Sequence, residues 1–172
     1  MLSKKVAQLL EENLRPETQK DFERELEIAK SKGYKVLERD YSKTVITQEQ
    51  AESALEKLGI GSDSVFYQVM KRVRFFPLGA GEELNTLDQI IRYAKNSFWG
   101  DDYPGFSDKY LELSSIEGEG SYFYERATDC VYDVGWSDMD SLIEGKLAPT
   151  WNKFSDFIEW YYGDSVSRPQ SE

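Results

Sequence analysis

Carboxylates dominate the reactive side chains of this chain, and they are crowded into one stretch. Residues 101–145 hold twelve acids, Asp101, Asp102, Asp108, Glu112, Glu117, Glu119, Glu125, Asp129, Asp133, Asp138, Asp140 and Glu144, against only Lys109 and Arg126. The rest of the chain is close to balanced, so this stretch carries nearly all of the formal net charge of -11 over 172 residues. Carboxylates at these spacings offer three chemistries. Asp138-Met139-Asp140 has the form of a DxD metal ligand, Glu117 with Glu119 has the form of an acid–base pair, and a concentrated acidic face can recruit a basic protein. The first two signals are unspecific, because acids are abundant here and residues i and i+2 of a turn need not converge on one ligand. Gly79-Ala80-Gly81 is a lone GxG followed by Glu82 and Glu83, where a phosphate would need amide donors free of negative charge, and it reads as a turn.

The absences narrow the choice further. There is no histidine, which removes imidazole bases, Ser-His-Asp triads and His metal ligands together. The single cysteine, Cys130, has no internal disulfide partner and no neighbouring base, and its place beside Val131 reads as packing. No catalytic, cofactor-binding or metal site is expected, and the chain reads as a non-enzyme. Strong negative potential repels nucleic acid and anionic membrane, so neither is expected as a partner. With no signal peptide, glycosylation sequon or apolar run near 18 residues, the expected location is the cytoplasm.

The elements that must position these acids follow from periodicity. Residues 1–40 read as an N-terminal helical extension packed on the domain: Leu2, Val6, Leu9 and Leu10 form one stripe, and Phe22, Leu26 and Ala29 a second, opened by Pro16 and ended by Gly33. GYKVLERDYSKTVI has room for a short strand. Thr47 with Gln50 predicts a capping box opening a helix with Ala51, Leu55 and Leu58 inward and Gly59 as its stop. Ser62 or Asp63 is the expected cap of the next helix, with Val65, Val69, Met70 and Val73 at core spacing and Lys71, Arg72 and Arg74 in intramolecular salt bridges. Asn85 or Thr86 caps a further helix with Leu87, Ile90 and Ile91 inward.

From Phe106 the pattern changes to short Tyr-, Leu- and Val-rich runs, KYLELSSI, SYFYERA and CVYDVG, separated by turn residues, which predicts consecutive antiparallel strands. One sheet face is expected to meet the core and the other to carry exposed carboxylates. A turn through WSDMDSLIEGKLAP leads to a final amphipathic helix holding Trp151, Phe154, Phe157, Ile158, Trp160 and Tyr161, and a polar tail runs over 164–172. The fold class is therefore α+β, a mostly antiparallel meander packed against helices, with the domain spanning 41–163.

VITQEQAESALEKLGI, PLGAGEELNTLDQIIRY, YLELSSIEGEGSYFYERATDCVYDVG and LAPTWNKFSDFIEWYYG, taken in this order over residues 44–162, resemble the SUKH superfamily. That group includes a yeast cell-wall-synthesis and killer-toxin-resistance regulator and bacterial immunity proteins of polymorphic toxin systems. The resemblance implies an α+β fold without catalytic activity that works by binding another protein, in bacteria a toxin, commonly a nuclease or a nucleic-acid deaminase. The charge distribution agrees independently, since such toxins carry basic substrate surfaces that an acidic inhibitor can occupy.

The expected partner-binding residues are acids with aromatics close by in sequence, because interfaces take affinity from Trp and Tyr anchors and on-rate from charge. They fall in three clusters: Trp99, Asp101, Asp102 and Tyr103 in an exposed loop; Glu117 and Glu119 in a hairpin turn; and Asp133, Trp136, Asp138 and Asp140. The leading expectation is an immunity protein that neutralises a basic, nucleic-acid-targeting toxin. The alternative is a non-enzymatic regulatory or scaffolding module without a toxin partner.

Overall fold

The computed structural model describes residues 2–11, 14, 19–33, 47–73, 84–114 and 118–162. Among them the expected α+β class is realised as eight α-helices and a three-stranded antiparallel sheet. Helix α1 (Lys4–Glu11) places Val6 in the main core at 1% exposure, with Leu2, Leu9 and Leu10 packed against that core. Leu14 pairs with Val73 in an isolated antiparallel bridge. Helix α2 (Gln19–Ser31) buries Leu26 and ends before Gly33 at φ 78°; Pro16 and the side chain of Phe22 lie outside the described residues, as do the segment 34–46 and Gly79-Ala80-Gly81.

Helix α3 (Gln48–Lys57) starts as its sequence dictates. The Gln50 N–H donates to Thr47 Oγ1 at 3.2 Å, and the Thr47 N–H donates to Gln50 Oε1 at 2.9 Å, so two otherwise orphaned amides are satisfied. Gly59, at φ 70°, ends it in a left-handed turn in which the Gly59 and Ile60 amides return to Glu56 O and Leu55 O. Helix α4 (Val65–Met70) is capped by Ser64, not by Ser62 or Asp63, its Oγ accepting the Tyr67 N–H at 3.0 Å. Phe66 and Tyr67 join Val69, Met70 and Val73 in the core, while Val65 is half-buried. Lys71 and Arg72 do form ion pairs, with Glu52 at 3.6 Å and Glu11 at 2.6 Å; Arg74 is outside the described residues. Thr86 caps helix α5 (Leu87–Lys95), its N–H donating to Gln89 Oε1 at 2.7 Å.

A single helical turn, α6 (Phe106–Lys109), leads into the meander of β1 (Tyr110–Glu112), β2 (Gly120–Glu125) and β3 (Val131–Gly135), whose spatial order is the sequence order. Register pairs Leu111 with Tyr124, Glu112 with Phe123, and Phe123 with Tyr132. Alternation then places Leu111, Tyr122, Tyr124 and Val131 on one face, against α3, α4 and helix α8 (Phe154–Tyr162). Phe66 stacks on Tyr124 with ring centroids 4.1 Å apart.

The second face corrects the expectation of a solvated carboxylate surface. Tyr110, Glu112, Phe123, Glu125, Tyr132 and Val134 share it, and the carboxylates do fall together there, but Trp99, Phe106, Met139 and Leu142 form a second core over it. Glu112 is 4% exposed and Glu125 7%. That cover comes from the run after α5 and from WSDMDSLI, which forms a 3-10 turn (Trp136–Asp138) and helix α7 (Met139–Ile143) where a plain turn was expected. Two further readings change. Trp151 precedes α8 and pairs in extended conformation with Val131, both backbone bonds at 2.9 Å, and Cys130 is half-buried in the loop before β3, because the turn at Asp129 (φ 64°) holds it outside the strand. No helix among the described residues is long and apolar enough to cross a membrane.

Candidate functional site

The backbone after α5 coils through residues 97–106 in successive turns, with the Gly100 amide on Ser97 O, Tyr103 on Trp99 O and Phe106 on Tyr103 O. Ser97 Oγ accepts the Trp99 N–H at 3.1 Å. This winding turns Trp99 inward, to 9% exposure, which corrects its reading as part of an exposed loop; Asp101 and Asp102 stay in solvent. The physical reason is the uncovered second sheet face: Trp99 contacts Phe106 and Phe123 there, at centroid distances of 6.4 and 6.5 Å.

Trp99 and Trp136 together join the three sequence clusters. The Trp99 ring lies 5.2 Å from that of Trp136, which is half-buried. Trp136 Nε1–H donates to Gly118 O at 2.7 Å and its backbone N–H to Glu119 O at 3.1 Å, tying the β1–β2 turn to the start of the 3-10 turn. Tyr103 O–H donates to Asp140 Oδ1 at 2.7 Å, closing the ring of contacts from the first cluster to the third. That bond, with burial and the negative charge of Asp102 adding to it, raises the Tyr103 phenol above its ordinary value, so it remains a neutral donor at physiological pH.

Asp101, Asp102, Glu119, Asp138 and Asp140 are all exposed around this aromatic set. The two cations of the acidic stretch are engaged by other groups, Lys109 by Glu125 at 3.3 Å and Arg126 by the carbonyls of Ser107 and Leu58. Asp133 is not brought into the face. It pairs with Tyr122 on the opposite side of the sheet, half-buried, and its N–H donates to Thr150 Oγ1 at 3.0 Å. Glu117 lies outside the described residues. No group of three or more acidic or cysteine side chains among the described residues is placed to hold a metal ion, so the DxD of Asp138 and Asp140 has no third ligand there.

Sequence reading missed one residue here. Phe98 is 63% exposed, the most exposed large apolar side chain among the described residues, and stands edge-on to Trp99 at 5.0 Å. The Phe98-Trp99 doublet was its only signal, and which ring turns inward depends on the coil that follows. It was also not legible that Glu112 supports this loop: the buried carboxyl accepts a hydrogen bond from Ser97, and burial outweighs that bond to push its pKa up to about 7. The resulting arrangement is an exposed ring set edge-on against buried Trp99, which also packs against Trp136 and Tyr103 beside the exposed acids.

No protein-family model, curated protein or solved structure matches the chain.

Proposed function

We propose that this protein is a cytoplasmic immunity protein of the SUKH type, which neutralises a basic, nucleic-acid-targeting toxin by occupying its substrate surface. The observation that carries this reading is the convergence of exposed acids from three separate segments around Trp99 and Trp136, with Phe98 exposed beside Trp99. Carboxylates alone accelerate encounter but hold a partner weakly; an aromatic knob supplies the desolvated anchor that charge lacks. Phe98 fits an apolar pocket rimmed by Lys and Arg, where the acids stand in for phosphates. The resemblance to immunity proteins supports the same assignment from a different direction.

The test is co-expression with a candidate toxin domain, with growth rescue and association rate as readouts. Reversing Asp101, Asp102, Asp138 and Asp140 to Lys is expected to abolish rescue and remove the salt dependence of the association rate. Phe98→Ala is expected to weaken the complex about 10- to 100-fold, the equivalent of about 1.5 to 3 kcal/mol for burying one large side chain, with no change in folding. Full rescue by both variants sinks the proposal.

A further inference from the structure

A concavity of about 840 Å³ lies between α3 and α5 and is lined by none of the residues of the acidic face. Gln50, Ser53, Ala54 and Lys57 reach it from one side of α3, at the spacing of a single helical face, and Ile91, Ala94 and Lys95 reach it from α5. Short side chains at Ser53, Ala54 and Ala94 leave the space between the helices open. Its volume falls in the range of small-molecule sites, roughly 300 to 1,000 Å³. Polar and charged side chains make up most of its lining, and Ala54, Leu58, Ile91 and Ala94 supply an apolar strip among them.

The charge of this groove runs against the rest of the molecule. In a chain of net charge -11, three cations line it, Lys57, Lys95 and Arg126, and none is in ion-pair range of a carboxylate among the described residues. Lys71, Arg72, Lys109 and Lys146 are, while Arg92 and Lys153, outside the groove, likewise have no carboxylate in ion-pair range among the described residues. Arg126 is moreover built into position. Its Nη1 donates to Ser107 O at 2.9 Å and its Nη2 to Leu58 O, which uses two of the five guanidinium N–H groups. A side chain at Gly59 would bring Cβ within 3.3 Å of that Nη2, so the glycine that ends α3 also leaves room for the guanidinium.

Two features oppose an anion here, and neither cancels the cations. Of the last four carbonyls of α3, three are taken, Ala54 O by the Leu58 amide, Leu55 O by Ile60 and Glu56 O by Gly59, and just past the helix Leu58 O is taken by Arg126, which reduces the unpaired negative potential at this end. Glu49 lines the groove from the first turn of α3, about 12 Å along the axis from Lys57 at ~1.5 Å per residue, and only Asp108 remains near the Arg126 end.

We infer that this groove binds an amphipathic anion, a small molecule with a carboxylate or phosphate head on Arg126 and Lys57 and an apolar body along Ala54, Ile91 and Ala94. The test is a titration of the folded protein followed by amide NMR, with decanoate as the probe, inorganic phosphate as the head group alone and decanol as the body alone. Decanoate is expected to shift the Ala54 and Ala94 amides saturably, with at least about tenfold weaker binding by either half-probe. The double variant Lys57→Glu/Lys95→Glu, both positions exposed, is expected to lose decanoate binding at least tenfold while its melting temperature stays put. Arg126→Gln should lose binding with a lower melting temperature, since it also releases the Leu58 and Ser107 carbonyls. No saturable shift, equal binding of decanol, or unchanged binding by the double variant each overturns the inference; binding of phosphate alone as tightly as decanoate overturns the apolar half of it.

Discussion

Replacing Glu112 by Gln tests the reasoning about the covered sheet face most directly. The carboxyl is 4% exposed on β1 beside Phe123, and its backbone carbonyl accepts Asn85 Nδ2–H at 3.1 Å. Burial raises its pKa from the ordinary 4.5 to about 7, with the Ser97 hydrogen bond pulling the other way. The folded chain therefore holds the proton more tightly than the unfolded one. At pH 4 both states are largely protonated and the group costs nothing. As pH climbs the unfolded state sheds its proton first, and stability falls until the folded carboxyl also ionises near 7. Above that the loss levels off on the order of 3 kcal/mol, from ~1.4 kcal/mol for each pH unit between the two values. Urea unfolding followed by tryptophan fluorescence at pH 4 to 8 should show the E112Q variant matching the native protein at pH 4 and exceeding it by up to about 3 kcal/mol at pH 8. Subtracting the two curves removes the other acids, which titrate alike in both. A stability difference that is flat across this range would refute the buried, proton-holding carboxyl.

Two further substitutions probe the same face. Glu125 accepts bonds from Thr128 at 2.5 Å and Tyr132 at 3.1 Å and pairs with Lys109 at 3.3 Å; burial pushes its pKa up, but these partners outweigh it and leave it lowered. Its contribution is therefore present at neutral pH and lost as pH falls through its folded pKa, so Tyr132→Phe should destabilise by about 1 to 2 kcal/mol at pH 7 and by less in acid, measured by urea unfolding at both pH values. At Gly120 a Cβ would come within 2.4 Å of Val134 O, a backbone atom that cannot move without shifting β3. Gly120→Ala should lower stability by at least about 1 to 3 kcal/mol in thermal unfolding, and a neutral result would mean that the β2–β3 pairing is looser there.

Much of this molecule was legible locally. The Thr47–Gln50 capping box, the stop at Gly59, and the three-strand order all rest on interactions within a few residues or on periodicity, and these survive in any fold that forms the element. The concentration of acids in 101–145 is likewise a property of the chain alone. What local pattern leaves open is which side of an element is covered by something distant in sequence. Glu112 and Glu125 alternate as solvent-facing residues should, yet the turns after α5 and helix α7 close over them. Phe98 and Trp99 are indistinguishable by type, and only the sheet face beneath decides that Trp99 is buried and Phe98 is not. Three acidic clusters merge around Trp99 and Trp136 while Asp133 departs to the other face, because strand alternation sends neighbours in opposite directions and only tertiary packing brings separate segments together. Hydrogen bonding and periodicity act over a few residues; burial of one surface by another is a property of the whole fold.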